Sequence, residues 1–167
     1  MFRQLINSWV TRYNHDKFWK MYMCCQSGEA KGWLRILYIY RLKRISSLHN
    51  CDLMITLRRD CPFGAQFDSI PFLPHGLNGI VISRNARIGR GATILQQVTI
   101  GIKDIGNTAA PRIGQNVFIG AGAKIIGGIT IGNNVKIGAN SVVNMDVPDN
   151  ATVVGNPAVI KEKKNDT

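Results

Sequence analysis

Between Ile82 and Ile160 the apolar residues return every six positions. Large aliphatic side chains stand at Ile82, Ile88, Ile94 and Ile100, then, after an interruption, at Ile113, Ile119, Ile125, Ile131, Ile137 and Val143. Four positions after most of these comes a second candidate for the interior, smaller or β-branched: Ala86, Ala92, Val98, Val117, Ala123, Ile129, Val135, Ser141 and Val147. A period of six fits neither an amphipathic helix of about 3.6 residues per turn nor a heptad coiled coil. It is the hexapeptide signature of a parallel β-helix. Residues i and i+4 have the same parity, so both can point inward from one short strand while the residues between them turn a corner. Corner positions such as Gly120, Gly122, Gly132, Asn134, Gly138 and Asn140 hold the residue types that reach positive φ cheaply. Three such segments close a triangular coil, and coils stack at about 4.8 Å.

Breaks in the phase carry as much information as the repeat. Cys61, Phe67 and Leu73 are already six apart, with Ala65, Pro71 and Leu77 four positions on, before the register slips over Asn78 to Val81. After Ile100 the next phased residue is delayed to Ile113, which predicts that GIKDIGNTAAPR leaves one corner as a loop. Loops carried by a rigid scaffold are common places for substrate selection. Upstream, Leu5, Ile6, Trp9, Val10 and Tyr13 follow a helical spacing. After the Ser27-Gly28 break, Trp33, Leu34, Leu37, Tyr38, Tyr40 and Leu42 predict a further helix, whose aromatic face calls for burial against the end of the coil or a neighbouring subunit. The expected organisation is a helical extension over 1–52, a β-helix over 53–160 and a polar tail over 161–167.

Composition adds limits. At 167 residues and 45% hydrophobic the chain can bury one core. The start has no uninterrupted apolar run and no small-residue cleavage site, and Trp33 to Tyr40 is too short to span a bilayer, so a cytoplasmic protein is expected. Cys24, Cys25, Cys51 and Cys61 lack metal-site spacing and read as reduced, small apolar residues; no metal is expected. The net charge of +11 raises the question of nucleic acid, but glycine corners offer no recognition helix and no RNA-binding signature is present. Besides a solvated basic surface, two uses of the charge remain: attraction of an anionic phosphorylated cofactor, and contact of the Trp33 to Arg44 segment with an anionic membrane surface, which would place the protein at the inner membrane face.

Of His15, His49 and His75 only the last lies in the repeat region, at a corner of its hexad, from which its imidazole should project outward. The segment around it, with LPH, QxVTIG, IGAGAKIIGG and GNPA in order, resembles the hexapeptide acyltransferases of the serine acetyltransferase type over roughly 53–162. The resemblance implies an all-β left-handed parallel β-helix, a homotrimer, and acetyl-CoA bound in a groove between subunits. His75 matches the family's catalytic histidine, a general base for an acceptor hydroxyl, and Asp60 its acidic partner fifteen residues earlier. A neutral imidazole can take the proton of an attacking alcohol, and a carboxylate on its other nitrogen fixes the tautomer. The same likeness places Ala121, Ala139 and Lys136 along the pantetheine groove and Gly101 and Ile102 at the thioester carbonyl; by their charge Lys161, Lys163 and Lys164 are candidates to meet the nucleotide phosphates.

The sequence departs from that family where the amino acid would be held. Pro74 replaces the acidic residue before the histidine, and Ala109 and Ala110 replace an Arg-His pair before the PxIG segment. Leaving a buried ammonium or carboxylate unpaired costs several kcal/mol. The departures therefore lead to the expectation of a sugar hydroxyl as acceptor, in the manner of the serine acetyltransferase-like enzymes of capsule, exopolysaccharide or O-antigen synthesis. A serine O-acetyltransferase of cysteine biosynthesis is the alternative, and a non-catalytic β-helix scaffold a second.

Overall fold

The computed structural model describes residues 14–55 and 64–161. The helix predicted over Leu5 to Tyr13, Asp60, Cys61, Lys163 and Lys164 lie wholly or almost wholly outside the described residues. The fold is an all-β left-handed parallel β-helix with an N-terminal helical part. Helices α1 (His15–Gln26) and α2 (Gly32–Leu48) precede a three-sided coil of short strands. Face I carries β1 (Gln66–Phe67), β3 (Arg87–Ile88), β6 (Arg112–Ile113) and β9 (Thr130–Ile131). Face II carries β4 (Thr93–Ile94), β7 (Phe118–Ile119), β10 (Lys136–Ile137), β12 (Thr152–Val154) and β13 (Val159–Lys161). Face III carries β2 (Val81–Ile82), β5 (Thr99–Gly101), β8 (Lys124–Ile126) and β11 (Val142–Val143).

The predicted hexad positions become the inner columns. Phe67, Ile88, Ile113 and Ile131 stack on face I. Ile94, Ile119, Ile137 and Val153 stack on face II. Ile82, Ile100, Ile125 and Val143 complete face III. All are buried, and so are the small residues Ala86, Ala92, Val98, Ala123, Val135 and Ser141 that fill the space beneath the corners. From β1 to β12 each strand neighbours the same face of the next rung in parallel register, so each inward side chain meets its own kind above and below. Only β13 runs antiparallel, on β12, and closes the far end.

Corners follow the expected chemistry. Asn116, Asn134 and Asn150 are left-handed at φ 54°, 56° and 61° and hydrogen-bond one another in a column between faces I and II. At Gly120 a Cβ would lie 2.6 Å from the Ala139 amide nitrogen, so the close approach of successive rungs there requires glycine. The phase slip after Ile100 is the predicted loop: the chain leaves face III after Gly101 and regains face I at Arg112.

Helix α1 seals the near end of the coil. Trp19 packs edge-on against Phe67 with ring centroids 4.8 Å apart, and the Tyr22 hydroxyl donates to the Ala65 carbonyl at 2.8 Å. Gln26 does more than cover. Its side-chain nitrogen donates to the Phe67 carbonyl at 2.7 Å and its oxygen accepts from the Phe67 amide at 3.1 Å, so one side chain satisfies the open edge of β1 as another strand would. Helix α2 packs on α1 with Ile39, Leu42 and Ile45 buried. Its other side differs from expectation: Trp33, Leu34, Leu37 and Tyr40 are exposed on the chain, because the side bearing Ile39, Leu42 and Ile45 is the one turned to α1.

Candidate functional site

The corner between faces II and III gathers three of the candidate residues, His75, Ala121 and Ala139. In the first rung it is formed by 74–79, a wide turn closed by bonds from the Gly76 amide to the Leu73 carbonyl and from Ile80 to Leu77. The three-residue slip detected in the sequence is thus the extra length of this turn, and it carries His75 out to an exposed position. Below it the same corner is made by Gln96 and Gln97, then Ala121 and Gly122, then Ala139 and Asn140. Backbone bonds tie the levels together: Gln97 donates to Asn78 at 2.9 Å, Gly122 to Gln96 at 2.9 Å and Asn140 to Ala121 at 2.8 Å. The imidazole position and the two alanines are therefore stacked on one edge of the prism. Below the Gln96–Gln97 level that edge is lined by small, partly open residues, Ala139 being exposed and Ala121 half-buried.

Other predicted residues fall elsewhere. Gly101 and Ile102 lie at the corner between faces III and I, where Gly101 accepts from the Gly127 amide at 2.9 Å. Within one chain the structure does not bring them to His75. The loop that follows is exposed from Lys103 to Ala109 and is anchored by Asn85, which donates to the Thr108 carbonyl at 3.0 Å. Lys136 and Lys161 sit on face II, each in register with Thr152, from which they flank the same strand. Both are exposed. Asp60 lies outside the described residues.

Two residues at the His75 corner escaped the sequence reading. Lys124 reaches from face III to donate to the Gln97 carbonyl at 2.7 Å. Gln96, the first glutamine of the QxVTIG segment, has its side-chain oxygen buried without a hydrogen-bond partner. Such orphaned acceptors are rare in folded proteins. A signal for Gln96 was present in the motif, whereas nothing in the hexad marks Lys124, whose partner lies in the preceding rung.

Comparison with known proteins places this geometry. Residues 110–144 match the family model described as bacterial transferase hexapeptide (six repeats). A serine acetyltransferase of Staphylococcus xylosus is 52% identical over 99 residues, covering 58% of this chain and 45% of that protein. Soybean serine acetyltransferase superposes with a TM-score of 0.63 at 36% identity, over 77% of this chain and 50% of that one. Serine acetyltransferase of Brucella abortus in complex with coenzyme A superposes with a TM-score of 0.68 at 32% identity, over 91% and 56%. The chain spans about half the length of the curated relatives it matches.

These relatives overturn the expectation of a sugar acceptor in surface polysaccharide synthesis. That expectation rested on Pro74, Ala109 and Ala110, treated as walls of a buried site. Within one chain Pro74 stands at the corner between faces II and III and Ala109 in the loop between faces III and I, so the three residues do not wall one site there. Three substitutions also weigh little against 52% identity over 99 residues to a serine acetyltransferase. The chain carries the hexapeptide repeat of bacterial transferases on a left-handed β-helix, and its relatives are serine acetyltransferases.

Proposed function

We propose that this protein transfers the acetyl group of acetyl-CoA to the hydroxyl of L-serine, working as a homotrimer in the cytoplasm. The observation that carries the reading is the stacking of His75 above Ala121 and Ala139 on one edge of the prism, in a chain whose relatives are serine acetyltransferases. The exposed imidazole of His75 takes the proton as the serine oxygen attacks the thioester carbon. Asp60, which the family likeness pairs with this histidine, would hold the other ring nitrogen and stabilise the imidazolium that forms. Collapse of the tetrahedral intermediate breaks the C–S bond, and the proton held by His75 passes to the departing CoA thiolate.

Ala121 and Ala139 leave space for the pantetheine arm, while Lys136 and Lys161 supply positive charge toward the nucleotide phosphates. The Gly101 and Ile102 backbone contributes the oxyanion donor from a neighbouring subunit, since in its own chain it faces a different corner from His75. Trimer formation is thus part of the chemistry. Thiol release from acetyl-CoA in the presence of L-serine tests the proposal. His75→Ala should keep CoA binding by calorimetry and lose about 10²- to 10⁴-fold in turnover. No L-serine-dependent thiol release, or undiminished turnover in that variant, overturns it.

A further inference from the structure

Helix α2 presents a second apolar face that no part of the described chain covers. Trp33, Ile36, Leu37, Tyr40 and Leu48 recur at spacings of three, four and eight residues, which places them on one side of the helix, opposite Ile39, Leu42 and Ile45. Trp33 is 85% and Tyr40 60% exposed. Arg44 lies within this stripe, Lys43 at its flank and Lys31 at its start, all three exposed. From 31 to 48 the chain has no acidic residue.

We propose that this face binds the surface of an anionic lipid bilayer, with α2 lying in the plane of the membrane. An apolar stripe with tryptophan and tyrosine, carrying Arg44 within it and Lys43 at its flank, suits the boundary between headgroups and acyl chains, where a long cationic side chain can reach up to the headgroups. These cations select anionic lipid, because each is attracted by the negative surface potential of such a bilayer. Crossing the bilayer is excluded by length and charge: no described helix is long and apolar enough. A second copy of the chain is the poorer occupant. Packing this face on another copy, by two-fold or three-fold symmetry, would bury Arg44 within the stripe, with no acid on the helix to pair with it.

Co-sedimentation of the full chain with vesicles decides the matter, comparing phosphatidylcholine alone with phosphatidylcholine mixed with phosphatidylserine. Binding should require the anionic lipid and weaken with salt. It should fall about tenfold or more in Trp33→Glu/Tyr40→Glu and, separately, in Lys43→Glu/Arg44→Glu. Circular dichroism confirms that each variant is folded, and the second pair retains the test should the first not fold. Absence of binding, equal binding to both vesicle types, or unaltered binding by the two variants overturns the proposal. So does a drop in molar mass by light scattering in Trp33→Glu/Tyr40→Glu when the parent binds no vesicle, which would assign the face to another copy of the chain.

Discussion

At the scale of single residues, environment decides which cysteines react. Cys25 and Cys51 are buried, and desolvation pushes their thiols up from 9.0 to about 11 and about 12 respectively. For Cys25 the nearby Arg35 opposes that shift, and for Cys51 the charge of Asp52 adds to it. The thiolate is the reactive species, so both should be inert at pH 8, whereas the half-buried Cys24 should be alkylated. Mass mapping after a brief iodoacetamide pulse on the native protein checks this; modification of Cys51 ahead of Cys24 would contradict it. The inference that these cysteines act as small apolar groups was open to the sequence because their spacing fits no metal site. Which of them is accessible depends on how α1 and α2 pack, and no local pattern records that.

Among the elements, the hexad strands were the most legible part of the chain. A six-residue period admits few architectures, and each rung repeats the same environment, so Ile82, Ile119 and Ile137 could be placed inside without knowing their neighbours. The loop after Gly101 was readable as a break in phase for the same reason. The helices were read less completely. Spacing shows that α2 has an apolar side, but not that Ile39, Leu42 and Ile45 would win the contact with α1 while Trp33 and Tyr40 stay outside. Nor could it show Gln26 pairing with Phe67, a contact between residues 41 positions apart. Gln26→Ala leaves an amide and a carbonyl of the edge strand without that partner and should cost about 1 to 2 kcal/mol, measured by urea denaturation. Gln26→Glu keeps the acceptor but turns a second carboxylate oxygen toward the Phe67 carbonyl, and should cost at least as much as Gln26→Ala at neutral pH.

For the whole molecule, the buried thiols and Tyr22 set an alkaline limit. Burial holds the Tyr22 phenol well above its usual 10.0, and Cys51 and Asp52 reinforce the shift. A thiol or phenol whose pKa is raised by folding keeps its proton more tightly in the native state, so above the unfolded value deprotonation favours the unfolded chain. Stability should therefore decline as pH rises through about 9 and continue falling to about 12, visible as a decreasing Tm in thermal melts. Cys51→Ser and Cys25→Ala together should flatten the first part of that decline. The candidate site shows the same division between what is local and what is assembled. His75, Ala121 and Ala139 could be named from their motifs and stand on one edge, but Gly101 and Ile102 lie round a corner. Sequence order does not tell which corner of a three-sided coil a residue will occupy.

Nothing in a rung of identical strands specifies how many rungs there should be. The glutamine amide at one end and the reversed strand β13 at the other act as bookends, and the repeat between them is indifferent to its own length. Because Ile113 and Ile131, eighteen residues apart, occupy equivalent places, duplicating residues 114–131 should extend the stack by one storey while leaving both terminators in place. Evolution can in this way alter the height of such a molecule, and with it the length of the edge that carries His75, Ala121 and Ala139, without redesigning either end.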